Sequence, residues 1–337
     1  MIDKTVIIVG GGPAGASCAA RLKNAGVDVL ILDKKQFPRL KLCAGWVTPG
    51  VFQLLETDPG AYPYSLIPFK RLICYFRGIR IPVRTRQYSI RRYEFDKWLL
   101  ERSGAPMDLH AVRTINKEDQ YYVIDDRYRC QYLVGAGGTG CPVYRQLFSR
   151  IFPHPESSRI AAVEEEFQYD YTDSNCYLWF FENGLPGYAW YVPKGRGWLN
   201  VGIGGKYASM KKQGKTINHY WRQFQQKLIA SGLVTQRAFN AKGHIYYIRH
   251  QTPVLQMAKA FLTGDAAGLA TVDMGEGIGP AIESGLRAAD SIIYGKPYQM
   301  PITAKYSWPA IMGAGLKSLF DNNHLKRSTP WRVLRNG

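Results

Sequence analysis

The sequence predicts an α/β fold in which a three-layer domain built on a parallel sheet is interleaved along the chain with a second, mostly antiparallel β-sheet domain. Three observations carry this reading. Glycine-rich turns at 10–15, 135–140 and 264–279 each follow a short β-like apolar run: TVIIV, CQYLV and KAFLT. Strands feeding glycine turns at such separated points belong to one α/β layer whose segments are interrupted by other structure. Between them stand AAVEEEFQYDYTD, NCYLWFF, GYAWYVP and WLNVGIGG, parted by the turn signals ENGLPG and KGRG. Short aromatic or β-branched runs of that kind form an antiparallel sheet. The expected boundaries are 1–70, 90–153 and 255–300 for the first domain, 71–89 and 154–254 for the second, and a helical, basic tail over 301–337.

Composition agrees with two domains. The chain has 337 residues, and domains run to roughly 100–200 residues each. At 46% apolar and 21% charged residues it can fill a sizeable core. MIDKTVIIVGGG runs straight into a strand and shows no basic n-region or cleavage site, so no signal peptide is expected. No run approaches the ~18 apolar residues that span a bilayer. The chain is therefore expected to be cytoplasmic, with peripheral contact at the inner face of a membrane. The six cysteines are scattered without a CxxC pair, which argues for reduced thiols and against a structural metal site.

Net charge is +18, and arginines cluster in RGIRIPVRTRQYSIRR (Arg77, Arg80, Arg84, Arg86, Arg91, Arg92). Such an excess favours phosphates or an anionic membrane. No helix-turn-helix, zinc-finger or RNP pattern accompanies it, so nucleic acid is not expected as a partner.

The first glycine turn lies in VIIVGGGPAGASCAARLKNAGVDVLILD, a strand–turn–helix–strand layout of Rossmann type. Gly10, Gly12 and Gly15 fit GxGxxG: one for the tight turn, one for close approach of a pyrophosphate, one for helix–sheet packing. The anion would rest on helix amides. Asp33 ends the second strand, where a carboxylate meets a ribose. FAD, NAD and NADP remain open on this segment.

The third turn, AKAFLTGDAAGLATVDMGEGIGPAIESGL, separates cofactors better. Asp265 at a strand end can bond the hydroxyls of a ribityl chain. Gly275, Gly277 and Gly279 then open a helix with Pro280 in its first turn. Free amides there suit the N1–C2=O edge of a reduced flavin, where negative charge develops. Later in the second domain, KTINHYWRQFQQKLIASG has helical spacing (Ile217, Trp221, Phe224, Leu228) and stops at Gly232.

GxGxxG with a downstream acid, followed far along the chain by GDAAG…GEGI, resembles the FAD-binding domain shared by aromatic-ring hydroxylases, flavin halogenases and geranylgeranyl reductases. SIRRYEFDKWLLE resembles that group's R-x-x-F-D-x-W-L helix, which implies Arg92 near the FAD phosphates or ribityl chain. LVGAGGTGCPVYR is similar to its G-A-D-G-x-x-S-x-V-R segment, with Gly137 for the acid, Cys141 for the serine and one residue out of place before Arg145. The missing acid argues against NADPH handling of the hydroxylase kind. The resemblance implies bound FAD with contacts from Gly10, Gly12, Pro13, Ala14, Gly15, Asp33, Lys34, Cys43, Ala44, Gly45, Arg92, Gly138, Asp265, Gly275, Gly277 and Ile278.

KLCAGW after the second strand and GLPGYAWYVPKG resemble motifs of the geranylgeranyl reductase family in particular. On a strand, Tyr188, Trp190 and Val192 share one face, with Ala189 and Tyr191 on the other. The resemblance makes Tyr188 and Trp190 an aromatic wall beside the flavin. It makes Cys43 a candidate proton donor and Trp46 a lid. The implied activity is saturation of isoprenoid C=C bonds by reduced FAD, with electrons from an external donor that the sequence does not identify. The alternatives are an FAD monooxygenase of an aromatic substrate and an electron-transfer flavoprotein that reduces a quinone.

Overall fold

The computed structural model describes residues 1–250 and 254–300, so the tail expected over 301–337 lies outside the described residues. In chain order the strands are β1 (Ile2–Val9), β2 (Val29–Asp33), β3 (Trp46–Val47), β4 (Ile67–Phe76), β5 (Ile79–Ser89), β6 (Met107–Leu109), β7 (Ile115–Glu118) and β8 (Tyr121–Ile124). They continue as β9 (Tyr128–Gly135), β10 (Arg159–Gln168), β11 (Cys176–Phe180), β12 (Gly187–Lys194), β13 (Trp198–Lys206), β14 (Lys242–Tyr247), β15 (Gln256–Met257) and β16 (Ala260–Leu262). The helices are α1 (Pro13–Asn24), α2 (Pro49–Leu54), α3 (Arg92–Ser103), α4 (Tyr207–Lys212), α5 (Ile217–Ala230) and α6 (Ile278–Tyr294). Among the described residues no helix is long and apolar enough to cross a membrane.

The first sheet runs β15-β16-β9-β1-β2-β6, with the β7–β8 hairpin joined to β9. Its central neighbours, β16–β9–β1–β2–β6, are all parallel. VLILD of β2 is buried at every position, as a strand covered on both faces requires. Helix α1 packs against both α3 and α6. The α1–α6 approach is close enough that a side chain on Gly285 would overlap the Ala14 carbonyl.

The second sheet runs β14-β10-β13-β12-β11-β4-β5-β3 and is antiparallel except between β11 and β4. The expected alternation on β12 holds. Ala189 and Tyr191 join Trp221, Phe224 and Leu228 of α5 in one apolar cluster, while Trp190 and Val192 join another with Tyr188 beside it. One face of the sheet is thus closed by a helix, and the other is turned towards the first sheet.

Two stretches assigned by sequence to the first domain pair in the second sheet. Strand β4 begins at Ile67 rather than 71, and Trp46–Val47 pair with Ser89 and Tyr88. A two-residue strand has no periodicity to read, and its partner lies far along the chain. The Arg77–Arg92 cluster also divides. Arg77, Arg80, Arg84 and Arg86 are exposed on the β4–β5 hairpin, whereas Arg91 and Arg92 are held by Glu166 and Asp96.

Candidate active site

A single cavity of about 410 Å³ joins the two sheets. It opens beyond the carboxyl ends of β1, β2, β9 and β16, lined there by Val9, Leu32, Ala136 and Thr263. Beside β1 the chain order reverses, with β2 on one side and β9 on the other, which is where open α/β sheets bind ligands.

The first glycine corner forms one end. Gly10 has φ +113° and donates its amide to the Leu32 carbonyl at 2.8 Å. A Cβ there would lie 2.5 Å from the Ala136 carbonyl oxygen. Gly12 caps α1 without any side-chain cap, and Pro13 is the first helical residue. Amides of the first turn therefore lack side-chain acceptors while Gly12, Pro13 and Ala14 line the cavity. Asp33 accepts from Gly11 N–H (2.8 Å) and Lys35 N–H (2.9 Å), so its carboxylate ties the two loops together as it borders the cavity beside Lys34. Gly138, at φ +71°, lines the wall with open space where a Cβ would project. Gly15, expected among the contacts, is not on the wall. It faces inward, where a Cβ would overlap the Gly10 carbonyl and press on Ile8, and it sets the helix–strand approach instead.

The second corner lies beside the first, where a Cβ on Gly264 would touch Ala14. Asp265 sits in the turn after β16, and Gly277 caps α6, again without a side-chain cap. Gly275 (φ +61°), Gly277 and buried Ile278 line the cavity with Asp265. Glu276 between them was not foreseen. Its Oε1 accepts from Gly279 N–H at 2.6 Å, and Oε2 has no partner among the described residues. Burial pushes its carboxyl up to about 7, against that hydrogen bond and aided by Asp273 and Asp265.

Arg92 borders the cavity but is committed to Asp96, donating from Nε (2.6 Å) and Nη2 (2.8 Å). Burial opposes its charge, yet Asp96 outweighs burial and holds the guanidinium above its ordinary value, with Cys43 a further neighbour. Arg39, which reaches the same Asp96 at 3.3 Å, and Arg145 also line the cavity. The residue out of place before Arg145 is absorbed by a π-helical turn over Tyr144–Phe148.

The Cys43 loop is clamped from the second sheet. Lys194, fully buried, donates to Ala44 O and Ile90 O, both at 2.6 Å, and lies 3.6 Å from Glu166. Burial lowers its pKa while Glu166 supports the charge. Asn200 donates to Cys43 O at 3.4 Å, and Gly45 N–H points at Cys43 Sγ, 3.3 Å away. Cys43 and Ala44 border the cavity. Gly45 does not: at φ +65° it passes so close to Lys194 Nζ and Ile90 O that any Cβ would overlap both. Trp46 is no lid either, because its pairing in β3 makes it part of the wall.

The far wall is the open face of the second sheet. Tyr188 donates to Met274 O at 2.5 Å and Trp190 Nε1 to Asn200 Oδ1 at 2.7 Å, which fixes both rings. Tyr246 and Met274 extend this aromatic surface. Within it, on the same wall, stand Glu164 of β10 and His244 of β14. Sequence reasoning passed over both, as it did Lys194.

The residues at the two corners fit FAD. The uncapped start of α1, the start of α6 with Glu276 on its first turn, and the positive-φ glycines Gly10 and Gly275 meet in one cavity, with an acid at each corner. Comparison with known proteins agrees. Residues 8–45 match the model of an NAD(P)-binding Rossmann-like domain, and residues 158–241 match the geranylgeranyl reductase catalytic domain. An uncharacterized protein of Methanosarcina barkeri is 32% identical over 303 residues, covering 85% of this chain and 74% of the relative.

The chain belongs to the geranylgeranyl reductase family.

It is accordingly an FAD-dependent oxidoreductase. Digeranylgeranylglycerophospholipid reductase 1 of Methanopyrus kandleri is 28% identical over 215 residues, covering 59% of this chain and only 57% of that protein. Menaquinone reductase of Mycobacterium tuberculosis is 26% identical over 309 residues, covering 85% and 75%. A solved geranylgeranyl bacteriochlorophyll reductase-like structure from Thermoplasma acidophilum shares the fold, with a TM-score of 0.75 at 21% identity over 95% of this chain and 83% of that one.

Proposed function

We propose that the protein saturates C=C bonds of an isoprenoid chain carried as a prenyl diphosphate, a prenylated lipid or a quinone. The observation that carries this reading is the wall of Tyr188, Trp190, Tyr246 and Met274, which faces the same cavity as the two glycine corners. A flat apolar surface at that place suits a methyl-branched alkene of an isoprenoid chain and excludes water from it. The names of the Methanopyrus and Mycobacterium relatives support an isoprenoid-bearing substrate.

When bound, reduced FAD supplies the hydride for one alkene carbon. The chain's own residues bind, orient and protonate. Amides opening α1 would hold the pyrophosphate and Asp265 the ribityl chain, while the first turn of α6, where Gly279 N–H is engaged by Glu276, would border the flavin edge with its Gly275–Ile278 backbone. Arg92, Lys34 and Gly138 border the phosphate path. A proton for the second carbon comes from the wall, with Cys43 the candidate that sequence suggests. The exposed β4–β5 hairpin presents Ile79 and Ile81 among Arg77, Arg80 and Arg84, which supports peripheral contact with an anionic membrane from the cytoplasm.

The test is anaerobic reduction of the FAD-loaded protein by dithionite, followed by incubation with geranylgeranyl diphosphate, a geranylgeranylated glycerolipid or a menaquinone. The expected product gains about 2 Da per saturated bond. Unchanged isoprenoid together with oxygen-coupled NADPH consumption would point to a monooxygenase instead.

A further inference from the structure

We propose that Glu164, rather than the Cys43 thiol, is the acid that protonates the alkene. The inference rests on the proposed double-bond reduction and identifies the group that completes it.

Three consecutive glutamates lie on β10, and the strand sends them to different fates. Glu165 faces Arg237 (2.7 Å) and accepts from Asn240 N–H at 2.6 Å. Glu166 pairs with Arg91 at 2.8 Å and with Lys194 at 3.6 Å. Glu164 has neither kind of partner. It is wholly shielded from solvent yet borders the cavity, and among the described residues no hydrogen bond reaches either oxygen. His244 Nδ1 lies 3.7 Å from its Oε1 and is itself without a hydrogen-bond partner. Burial and Lys41 hold that imidazole down to about 4, so it is neutral and offers no counter-charge.

A shielded carboxyl with no cation against it keeps its proton. Burial pushes Glu164 up to about 7, while Asn200 of β13, Lys194 of β12 and Lys41 pull it down and Glu166 on its own strand adds to the rise. The same lysines stabilise the carboxylate left after proton transfer. The remaining cavity-side neighbours are the uncharged Trp190, Tyr188 and Tyr246. Both tyrosine hydroxyls lie within electrostatic reach of Glu164 and of Cys43, so the two candidate donors share one small region. Of the two, Cys43 Sγ is engaged as an acceptor by Gly45 N–H and flanked by Arg92. Glu164 is the group with a proton and no other use for it.

In the balanced step the O–H bond of Glu164 breaks and its proton forms a C–H bond at one alkene carbon. The π bond is lost and the other carbon receives the hydride. The two electrons come from reduced flavin, which ends oxidised, and the Glu164 carboxylate regains a proton from solvent through the cavity.

The decisive variants are Glu164→Gln, Glu164→Asp and Cys43→Ala, each loaded with FAD and reduced by dithionite. E164Q is expected to lose at least about 100-fold in alkene saturation and E164D to recover part of it, whereas C43A, which trims a thiol bordering the cavity, is expected to lose much less than E164Q. A second readout needs no turnover. Infrared titration of the FAD-loaded protein should show protonated-carboxyl absorption, shifted in D2O, that falls as pH rises through about 7, and E164Q should lose the Glu164 share of it while that of Glu276 remains. Wild-type turnover by E164Q, or carboxyl absorption that E164Q leaves unchanged, overturns the assignment and leaves the alkene activity standing. A band that behaves as expected in a wild-type enzyme that saturates no isoprenoid overturns the alkene reading, and the donor role with it.

Discussion

Gly10→Ala is expected to strip FAD from the protein. The residue holds φ +113°, where an L side chain is strained by about 1–3 kcal/mol. The added Cβ would also stand 2.5 Å from the Ala136 carbonyl oxygen, at the turn where β1 and β9 end side by side. Relief requires the turn to swing, and the turn carries Gly12 and the uncapped start of α1 with it. The pyrophosphate cradle then loses its geometry. Flavin absorbance per chain after gel filtration should fall to near zero, with FAD affinity down at least about 100-fold, or roughly 3 kcal/mol. The far-ultraviolet signal of the second sheet should be retained. Stoichiometric flavin in the variant would show that this corner does not hold the cofactor.

The second large effect concerns pH. Glu164 and Glu276 both have carboxyls pushed to about 7 from an ordinary 4.5, in each case chiefly by burial. The folded chain therefore keeps protons that the unfolded chain releases. The stability this gives is complete below about 4.5 and is lost as pH rises to about 7. Each group is worth up to about 3 kcal/mol over that window. Urea unfolding of the FAD-saturated protein at pH 5, 7 and 9 should show falling stability. E164Q, neutral throughout, should lose about half of that fall and be the more stable form at pH 9. Parallel pH dependences for the two proteins would mean that Glu164 is not a buried acid.

What could be read from the sequence follows from what leaves a local trace. The glycine corners were legible because the backbone at Gly10 and Gly275, both at positive φ, admits few other residues, and the spacing repeats a known turn. The second sheet was legible because β12 alternates Tyr188, Trp190 and Val192 against Ala189 and Tyr191. Glu164 was not, since EEE within a strand reads as a solvated run, and only pairing with β13 and β14 buries the first of the three. Lys194 sits in KGRG, a turn signal, and its burial is decided by Ala44 and Ile90, about 100 residues or more away in the chain. Gly45 was assigned to the cofactor when its constraint comes from that lysine. Trp46 was given mobility because a two-residue strand paired across the fold has no local signature. Long-range contacts, not propensity, decided each of these.

The central claim is that one cavity takes FAD at its glycine corners and an isoprenoid against its aromatic wall. It is tested most directly by the absorption spectrum of the FAD-loaded protein titrated with a geranylgeranyl lipid. The account predicts one flavin per chain and a saturable shift of the oxidised flavin band as the lipid binds, weakened in Trp190→Ala. A protein that stays colourless when offered FAD, or a flavin band indifferent to the lipid at saturation, would contradict it.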